Sequence, residues 1–148
     1  MSLDVYLRLP GVARTVEARI FIREDGGTRE ITRAEWDARF PGREPFVVVG
    51  EETEEVYSAN ITGNLHRMAA EAGIGDALWA PEEIGIAHAA QLIEPLSVGL
   101  ALLRSDPARF LPLNPSNGWG SYDGLVRFVA DYLEACADYP SAEVSVSR

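Results

Sequence analysis

Two segments near the start of the chain alternate apolar and polar residues, and this pattern most limits the folds open to the sequence. In SLDVYLRL, residues 2–9, Leu or Val alternates with Asp4, Tyr6 and Arg8. The segment RTVEARIFIRE, residues 14–24, repeats the pattern and ends at a turn signal, Asp-Gly-Gly. A period of two is typical of a β-strand with one buried face. We predict that the two segments form a hairpin, since Pro and Gly break the chain after the first.

A short helix and a buried strand are predicted to follow. Thr32 and Glu35 have the spacing of a capping box, which indicates a helix from Thr32 to about Phe40. Trp36 and Phe40 are four residues apart, so both lie on the face that packs against the sheet. The run PFVVVG, residues 45–50, is apolar and rich in valine, as in a covered strand.

The middle of the chain predicts a strand that leads directly into a helix. EEVYSANIT, residues 54–62, alternates again. One face carries Tyr57, Ala59 and Ile61, and the other carries Ser58, Asn60 and Thr62. NLHRMAAEAG, residues 64–73, then has helical apolar spacing, with Gly73 as its C-cap.

Two longer helices and a closing strand complete the predicted elements. Leu92, Leu96, Leu100 and Leu103 form one stripe of a long helix, which Pro95 either kinks or divides in two. A second helix begins after Ser121, and its broad apolar face contains Leu125, Phe128, Val129, Tyr132, Leu133 and Cys136. AEVSVSR, residues 142–148, alternates like an edge strand. This order predicts one compact α+β domain over residues 1–148, with helices on one face of a largely antiparallel sheet.

The composition excludes several classes of protein. A chain of 148 residues, 47% of them hydrophobic, suffices for one ordinary domain. Cys136 is the single cysteine, which excludes an intrachain disulfide or a site of several cysteines. No apolar run of about 18 residues is present, and Asp4 and Arg8 interrupt the first segment. We therefore expect no membrane span and no signal peptide, and a cytoplasmic protein.

The net charge of the chain affects which classes of partner it can bind. With 23 acidic and 13 basic residues the chain carries a formal charge of −10. Such a surface repels phosphate backbones, so we expect no nucleic-acid partner. It favours solubility, and it would also suit a protein that occupies a basic site on another protein.

A polar row at the strand-to-helix junction is the first candidate binding segment. Ser58, Asn60 and Thr62 share one face of the predicted strand, and Asn64 follows at the start of the helix. Free backbone N–H groups at a helix start suit a carboxylate or phosphate. The alternative is capping, in which these side chains satisfy the helix and bind nothing.

A loop rich in asparagine, serine and glycine is the second candidate segment. LNPSNGWGSYDGLVRF, residues 113–128, places its polar and aromatic side chains at Asn114, Ser116, Asn117, Trp119, Ser121 and Tyr122. Asparagine amides can read the edge of a ring, Trp or Tyr can stack on it, and glycine lets the backbone approach closely. The alternative is a turn in which Trp119 fills the core and Ser121 caps the helix.

Neither a metal centre nor a catalytic centre can be assembled from the sequence. His88 is predicted to be half-buried beside the leucine stripe, and His66 is predicted to be exposed. The acidic residues available to them are Glu71, Asp76, Glu82 and Glu83, without a metal-binding spacing. Cys136 lies on an apolar helix face, and no serine occupies a nucleophile elbow. We expect no metal, no cofactor and no catalytic residue.

Five segments together resemble a known family. MSLDVYL, VYSANITGNL, LWAPEE, NPSNGWGSYDGLVRFV and AEVSVSR, which span nearly the whole chain, resemble small proteins encoded by bacteriophages and prophages. The family is associated with a histidine at the position of Gly63, whereas this chain has His66, so no histidine role carries over. The resemblance implies an infected bacterial cell as the setting and an anti-defence role, without implying an activity.

Three functional hypotheses follow. The first is a non-enzymatic protein that binds a small polar or nucleotide-like ligand through the two asparagine-rich segments, such as a phage factor that sequesters a nucleotide signal. The second is an acidic inhibitor that binds a host protein. The third is a hydrolase of unknown type. The oligomeric state, including a homo-oligomer, is left open.

Overall fold

The computed structural model describes residues 2–10, 20–43 and 53–148. The chain divides into two compact units, one formed by Met1–Pro10 with Thr53–Arg148 and the other by Gly11–Glu52. The predicted single domain of residues 1–148 stays a prediction. The predicted strand at 45–50, and the part of the second alternating segment before Ile20, lie outside the described residues.

The described residues form an α+β fold, as the sequence predicts. In chain order the elements are β1 (Ser2–Leu9), β2 (Ile20–Glu24), β3 (Gly27–Ile31), α1 (Arg33–Arg39), β4 (Glu54–Thr62), α2 (His66–Glu71), α3 (Gly75–Trp79), α4 (Ala90–Ser105), α5 (Pro107–Phe110), α6 (Tyr122–Asp138) and β5 (Glu143–Ser147). Short 3-10 turns occupy Gly63–Leu65, Pro81–Ile84 and Leu111–Leu113.

The first unit is built on a three-stranded antiparallel sheet in the order β4-β1-β5. Leu3, Val5 and Leu7 of the central strand are fully buried, which confirms the alternation seen in the sequence. They share one core with the helices, whose contributions include Leu65, Met68, Leu92, Leu96, Phe128, Val129 and Tyr132. The helices therefore pack on the apolar face of this sheet.

The register of the sheet brings three strand ends together. Ser2 pairs with Thr62, and Asp4 pairs with Asn60 on one side and with Ser147 on the other. The start of β1 therefore lies beside the ends of β4 and β5. This end of the sheet positions the candidate site.

The outer edge of β5 is covered by the segment that precedes α4. Val144 N donates to Ala87 O at 2.9 Å, and His88 forms a β-bridge with Glu143. The Gln91 amide oxygen holds this segment by accepting from the backbone N–H groups of Ala87 and His88, at 2.7 and 2.9 Å. Covering an edge strand removes an open row of N–H and C=O groups that would otherwise pair with another chain.

Helix α4 is a single helix of 16 residues with Pro95 inside it. The predicted leucine stripe is buried at Leu92, Leu96, Leu100 and Leu103. At Gly99 the helix approaches Ile74 so closely that a Cβ would lie 2.3 Å from Ile74 Cγ2. Glycine is therefore required there by packing.

The predicted hairpin between the first two alternating segments is wrong for the described residues. Both edges of β1 are occupied, by β4 and β5, and β2 pairs with β3 instead. Asp25 and Gly26 form the two-residue turn between them, with φ of 51° and 78°, as two-residue turns with both central residues at positive φ require.

The second unit has a small apolar cluster beside this hairpin. Ile20, Ile22 and Ile31 are buried, and Trp36 and Phe40 of α1 pack on them. Their rings lie 4.6 Å apart between centroids. Thr32 Oγ1 accepts from Glu35 N at 3.2 Å, which confirms the predicted N-cap.

Candidate functional site

The strand-to-helix junction after β4 begins with a capping residue. Thr62 Oγ1 accepts a hydrogen bond from Asn64 N at 3.4 Å, at the start of the 3-10 turn. Leu65 is buried directly after it and anchors the turn in the core. Thr62 therefore has the capping role that the sequence left as the alternative to binding.

The glycine-rich loop before α6 is held by its own asparagine and serine side chains. Asn117 Oδ1 accepts from Trp119 N at 3.0 Å, and Asn114 Oδ1 accepts from Tyr122 N at 2.8 Å. Ser121 Oγ accepts from Gly124 N at 3.1 Å, the N-cap that the sequence predicts for α6. These hydrogen bonds fix the loop backbone on both sides of Trp119.

The structure brings the two predicted binding segments into contact, although they are far apart in sequence. The Asn64 amide Nδ2 donates to Trp119 O at 3.5 Å. Gly120, at a φ of 97°, packs so closely that an added Cβ would lie 2.6 Å from Thr62 Cγ2 and 2.9 Å from Leu65 Cγ. We call this junction the Trp119 site, comprising Thr62, Asn64, Asn117, Trp119 and Gly120.

The aromatic ring that fills the core is that of Tyr122, so the alternative in which Trp119 fills it is wrong. Tyr122 is 8% exposed, and its hydroxyl donates to Leu103 O. Trp119 is 71% exposed. In this loop Tyr122 therefore packs in the core, and Trp119 is exposed to solvent.

The remaining predicted residues lie beside this junction or on the open face of the sheet. Asn60 is exposed on the same face of β4 as Ser58, and its amide Nδ2 donates to Asp4 Oδ1 at 2.7 Å. Ser58 is paired across the sheet with Tyr6. Ser116 is exposed in the loop before Trp119.

Four residues that the sequence did not indicate as one group, His66, Trp79, Glu82 and Arg148, lie together beyond the end of β5. The His66 and Trp79 rings meet edge to face, 4.8 Å between centroids. Arg148 donates to Trp79 O and forms an ion pair with Glu82 at 2.7 Å. A backbone hydrogen bond, and then Arg148, lower the pKa of the Glu82 carboxyl. These residues come from three separate parts of the chain, at His66, at 79–82 and at Arg148, so only the folded chain groups them.

A cluster of two tyrosines and the cysteine lies inside the core. The Tyr57 and Tyr132 rings are stacked, with 5.7 Å between centroids, and the buried Tyr132 hydroxyl has no hydrogen-bond partner among the described residues. Burial raises the pKa of the Cys136 thiol to about 12. A thiol that stays protonated at neutral pH is a poor nucleophile, so Cys136 serves as core.

Both histidines are exposed, and the prediction that His88 is half-buried is wrong. Helix α4 begins only at Ala90, so His88 precedes it and Ala89 takes the buried position. Within residues 2–10, 20–43 and 53–148, no three His, Cys, Asp or Glu side chains are grouped as a metal site. None of the helices described here is long and apolar enough to cross a bilayer.

Comparison of the chain with protein-family models, with curated proteins and with solved structures gives no match. Among the described residues, the geometry of the Trp119 site is therefore the basis for proposing a function.

Proposed function

We propose that this chain is a non-enzymatic binding protein whose Trp119 site holds a planar, nucleobase-like ligand. The observation that carries the proposal is a tryptophan that is 71% exposed on a loop whose backbone is held in place. A turn at this point needs the glycines and the asparagines, but it gains nothing from an exposed indole. A stacked base supplies the missing partner, since base–aromatic stacking contributes about 1–3 kcal/mol.

The fixed backbone around Trp119 favours a binding role. Asn117 and Asn64 bind the backbone N–H and C=O of Trp119, and Gly120 packs on Thr62, so little backbone freedom is lost when a ligand stacks on the ring. The net charge of −10 would oppose a highly phosphorylated ligand. The site therefore suits a ligand that is neutral or weakly charged.

A thermal-shift screen tests the proposal. Nucleosides, nucleotides, cyclic nucleotides and nucleotide sugars are each added to wild type, to Trp119→Ala and to Val98→Ala, which removes a 64% exposed side chain from α4. A ligand at 100 times its Kd stabilises the folded protein by about 2.7 kcal/mol. We expect such a shift for wild type and Val98→Ala, and none for Trp119→Ala. No shift with any compound, or equal shifts in all three proteins, refutes the proposal.

The phage setting is supported only by the sequence resemblance. In that setting, a protein that binds a nucleobase-like ligand without turning it over would act by sequestering a nucleotide signal inside the infected cell.

A second function, inhibition of a host protein through an acidic surface, is favoured by the solvent face of α6. That face exposes Asp123, Arg127, Asp131, Glu134 and Asp138, four carboxylates beside one guanidinium. Such a face would attract a basic surface and accelerate association at low salt. A partner captured from a host extract should bind less tightly as salt rises, and the double change Asp131→Asn with Glu134→Gln should weaken it. Salt-independent capture by both proteins would contradict this function.

A further inference from the structure

Asn117 differs from the other asparagines of the chain in the residue that follows it. The four asparagines are followed by Ile61, Leu65, Pro115 and Gly118. The backbone nitrogen of the following residue can attack the side-chain carbonyl of an asparagine, and a bulky side chain on that residue hinders the approach. Proline has no N–H and cannot react in this way. The pair Asn117-Gly118 therefore combines a free backbone N–H with the least steric hindrance.

The structure leaves this pair open to solvent. Asn117 and Gly118 are both exposed, in the loop before α6 and outside any helix or strand. A Cβ added to Gly118 would meet nothing within 4 Å, so water reaches the nitrogen. The Gly118 N–H donates to Pro115 O at 3.3 Å, which is longer than the usual distance of about 2.9–3.0 Å. Among the described residues, one long hydrogen bond therefore opposes the attack.

The hydrogen bond from Trp119 N lies where negative charge would develop. Asn117 Oδ1 accepts from Trp119 N at 3.0 Å. When a nucleophile adds to Cγ, this oxygen takes the negative charge of the tetrahedral intermediate. A donor about 2.7–3.1 Å from such an oxygen stabilises the charge, as in an oxyanion hole. The bond that holds the Trp119 backbone therefore also activates the Asn117 amide.

We infer that Asn117 is a site of spontaneous deamidation. The Gly118 nitrogen gives its proton to water or hydroxide and forms a bond to Asn117 Cγ. The Cγ–Nδ2 bond then breaks, and the nitrogen leaves as ammonia with a proton from water. Water opens the resulting cyclic imide at either carbonyl. The reaction thus consumes water, releases ammonia and leaves aspartate or isoaspartate at position 117.

The isoaspartate product changes the loop that presents Trp119. Its main chain runs through the former side chain, so the backbone gains a carbon directly before Gly118. On the other side of Trp119, Gly120 is packed closely against Thr62 and Leu65. The segment that carries Trp119 therefore absorbs the added length. The effect of this change on a ligand rests on the proposed function, whereas the reaction itself does not.

Peptide mapping by mass spectrometry tests the inference without a ligand. The full chain is kept in a mildly alkaline buffer free of ammonia, sampled over time and digested briefly with trypsin. Arg109 and Arg127 bound the peptide that contains Asn114 and Asn117, and fragmentation assigns the change in mass to one of the two. We expect Asn117 to lose its amide while the other asparagines keep theirs. Loss at another asparagine before Asn117 overturns the inference.

A parallel incubation in urea measures how far the fold protects the bond. The attack requires the hydrogen bond from Gly118 N to Pro115 O to open, and losing one such bond corresponds to at most about tenfold. The Trp119 N–H offsets part of that cost. We therefore expect Asn117 in the folded protein to react within about tenfold of its rate in urea. A reaction slowed further by folding overturns the inference.

Gly118→Ala is the matched variant. It places a methyl group beside the attacking nitrogen and keeps Asn117 as the reacting amide. We expect Asn117 to keep its amide longer in this variant than in wild type, both in buffer and in urea, so the comparison does not depend on the stability of the variant. Equal rates in the two proteins under both conditions overturn the inference. Because no ligand is present, these results leave the proposed function to its own test.

Discussion

Gly120 joins the loop to the end of β4, and replacing it should detach the element that presents Trp119. Its φ of 97° lies in the region that L-residues rarely adopt. An added Cβ would also collide with Thr62 Cγ2 at 2.6 Å and Leu65 Cγ at 2.9 Å. Gly118 is a matched control in the same loop, with a φ of 74° and nothing within 4 Å of its added Cβ.

The losses of unfolding free energy in Gly118→Ala and Gly120→Ala should differ by the free-energy cost of the collision. A positive φ costs an alanine about 1–2 kcal/mol at either position. Forcing an extra carbon into a packed site costs a further 1–3 kcal/mol or so, which applies to Gly120 alone. We therefore expect Gly118→Ala to lower the free energy of unfolding by about 1–2 kcal/mol and Gly120→Ala to lower it by about 2–5 kcal/mol.

Urea denaturation of wild type and both variants measures these values. The loss of unfolded-state entropy on replacing glycine by alanine is common to both variants and cancels in the comparison. Equal destabilisation by Gly118→Ala and Gly120→Ala would refute the close approach of the loop to Thr62 and Leu65. If Trp119→Ala abolishes the binding of a ligand, Gly120→Ala should weaken the binding of the same ligand.

Two further substitutions test the packing of the core, and a third experiment tests the titration of the Cys136 thiol. Gly99→Ala should destabilise by about 1–3 kcal/mol through its overlap with Ile74, and wild-type stability in a urea titration would contradict that packing. Tyr132→Phe should raise the free energy of unfolding by about 1–3 kcal/mol, because it removes a buried hydroxyl without a partner; a loss of stability would indicate that this hydroxyl is hydrogen-bonded. Burial raises the Cys136 pKa from 9.0 to about 12, so its contribution to stability is present below pH 9 and is lost as the pH rises through 12. Thiol labelling of the folded protein at pH 9 should accordingly be slow and should match labelling of the unfolded chain only in urea.

The sequence predicted most elements because their periodicity is local. The alternation in residues 2–9 and 54–62, the cap at Thr32 and the apolar face after Ser121 depend on neighbours within one or two turns. Strand β3 was missed because four of its five residues are exposed, so its sequence has no apolar alternation.

Strand pairing depends on segments that are far apart in the sequence, and the pairing predicted from the sequence was wrong. The predicted hairpin assumed that successive strands pair, whereas β1 pairs with β4 and β5 from much later in the chain. His88 was assigned to the leucine helix because its spacing fits, but the helix starts two residues later.

At the candidate site, the sequence indicates the two segments that meet, but the prediction does not decide which aromatic residue of the loop is buried. Tyr122 lies at helical spacing before Leu125, Val129 and Tyr132, which are all buried. That spacing could have assigned Tyr122 to the core and left Trp119 outside. The contact of Asn64 with Trp119 depends on tertiary packing and leaves no signal in a single sequence.

The most direct test of the account is the indole N–H resonance of Trp119 during titration of the ¹⁵N-labelled protein with a nucleoside or nucleotide that raises its melting temperature in the thermal-shift screen. The chain has three tryptophans, and the spectrum of Trp119→Ala identifies the Trp119 resonance among them. The account predicts a saturable shift of the Trp119 resonance and loss of binding in Trp119→Ala. A Trp119 resonance that stays in place while that ligand binds, or undiminished binding by Trp119→Ala, would contradict it.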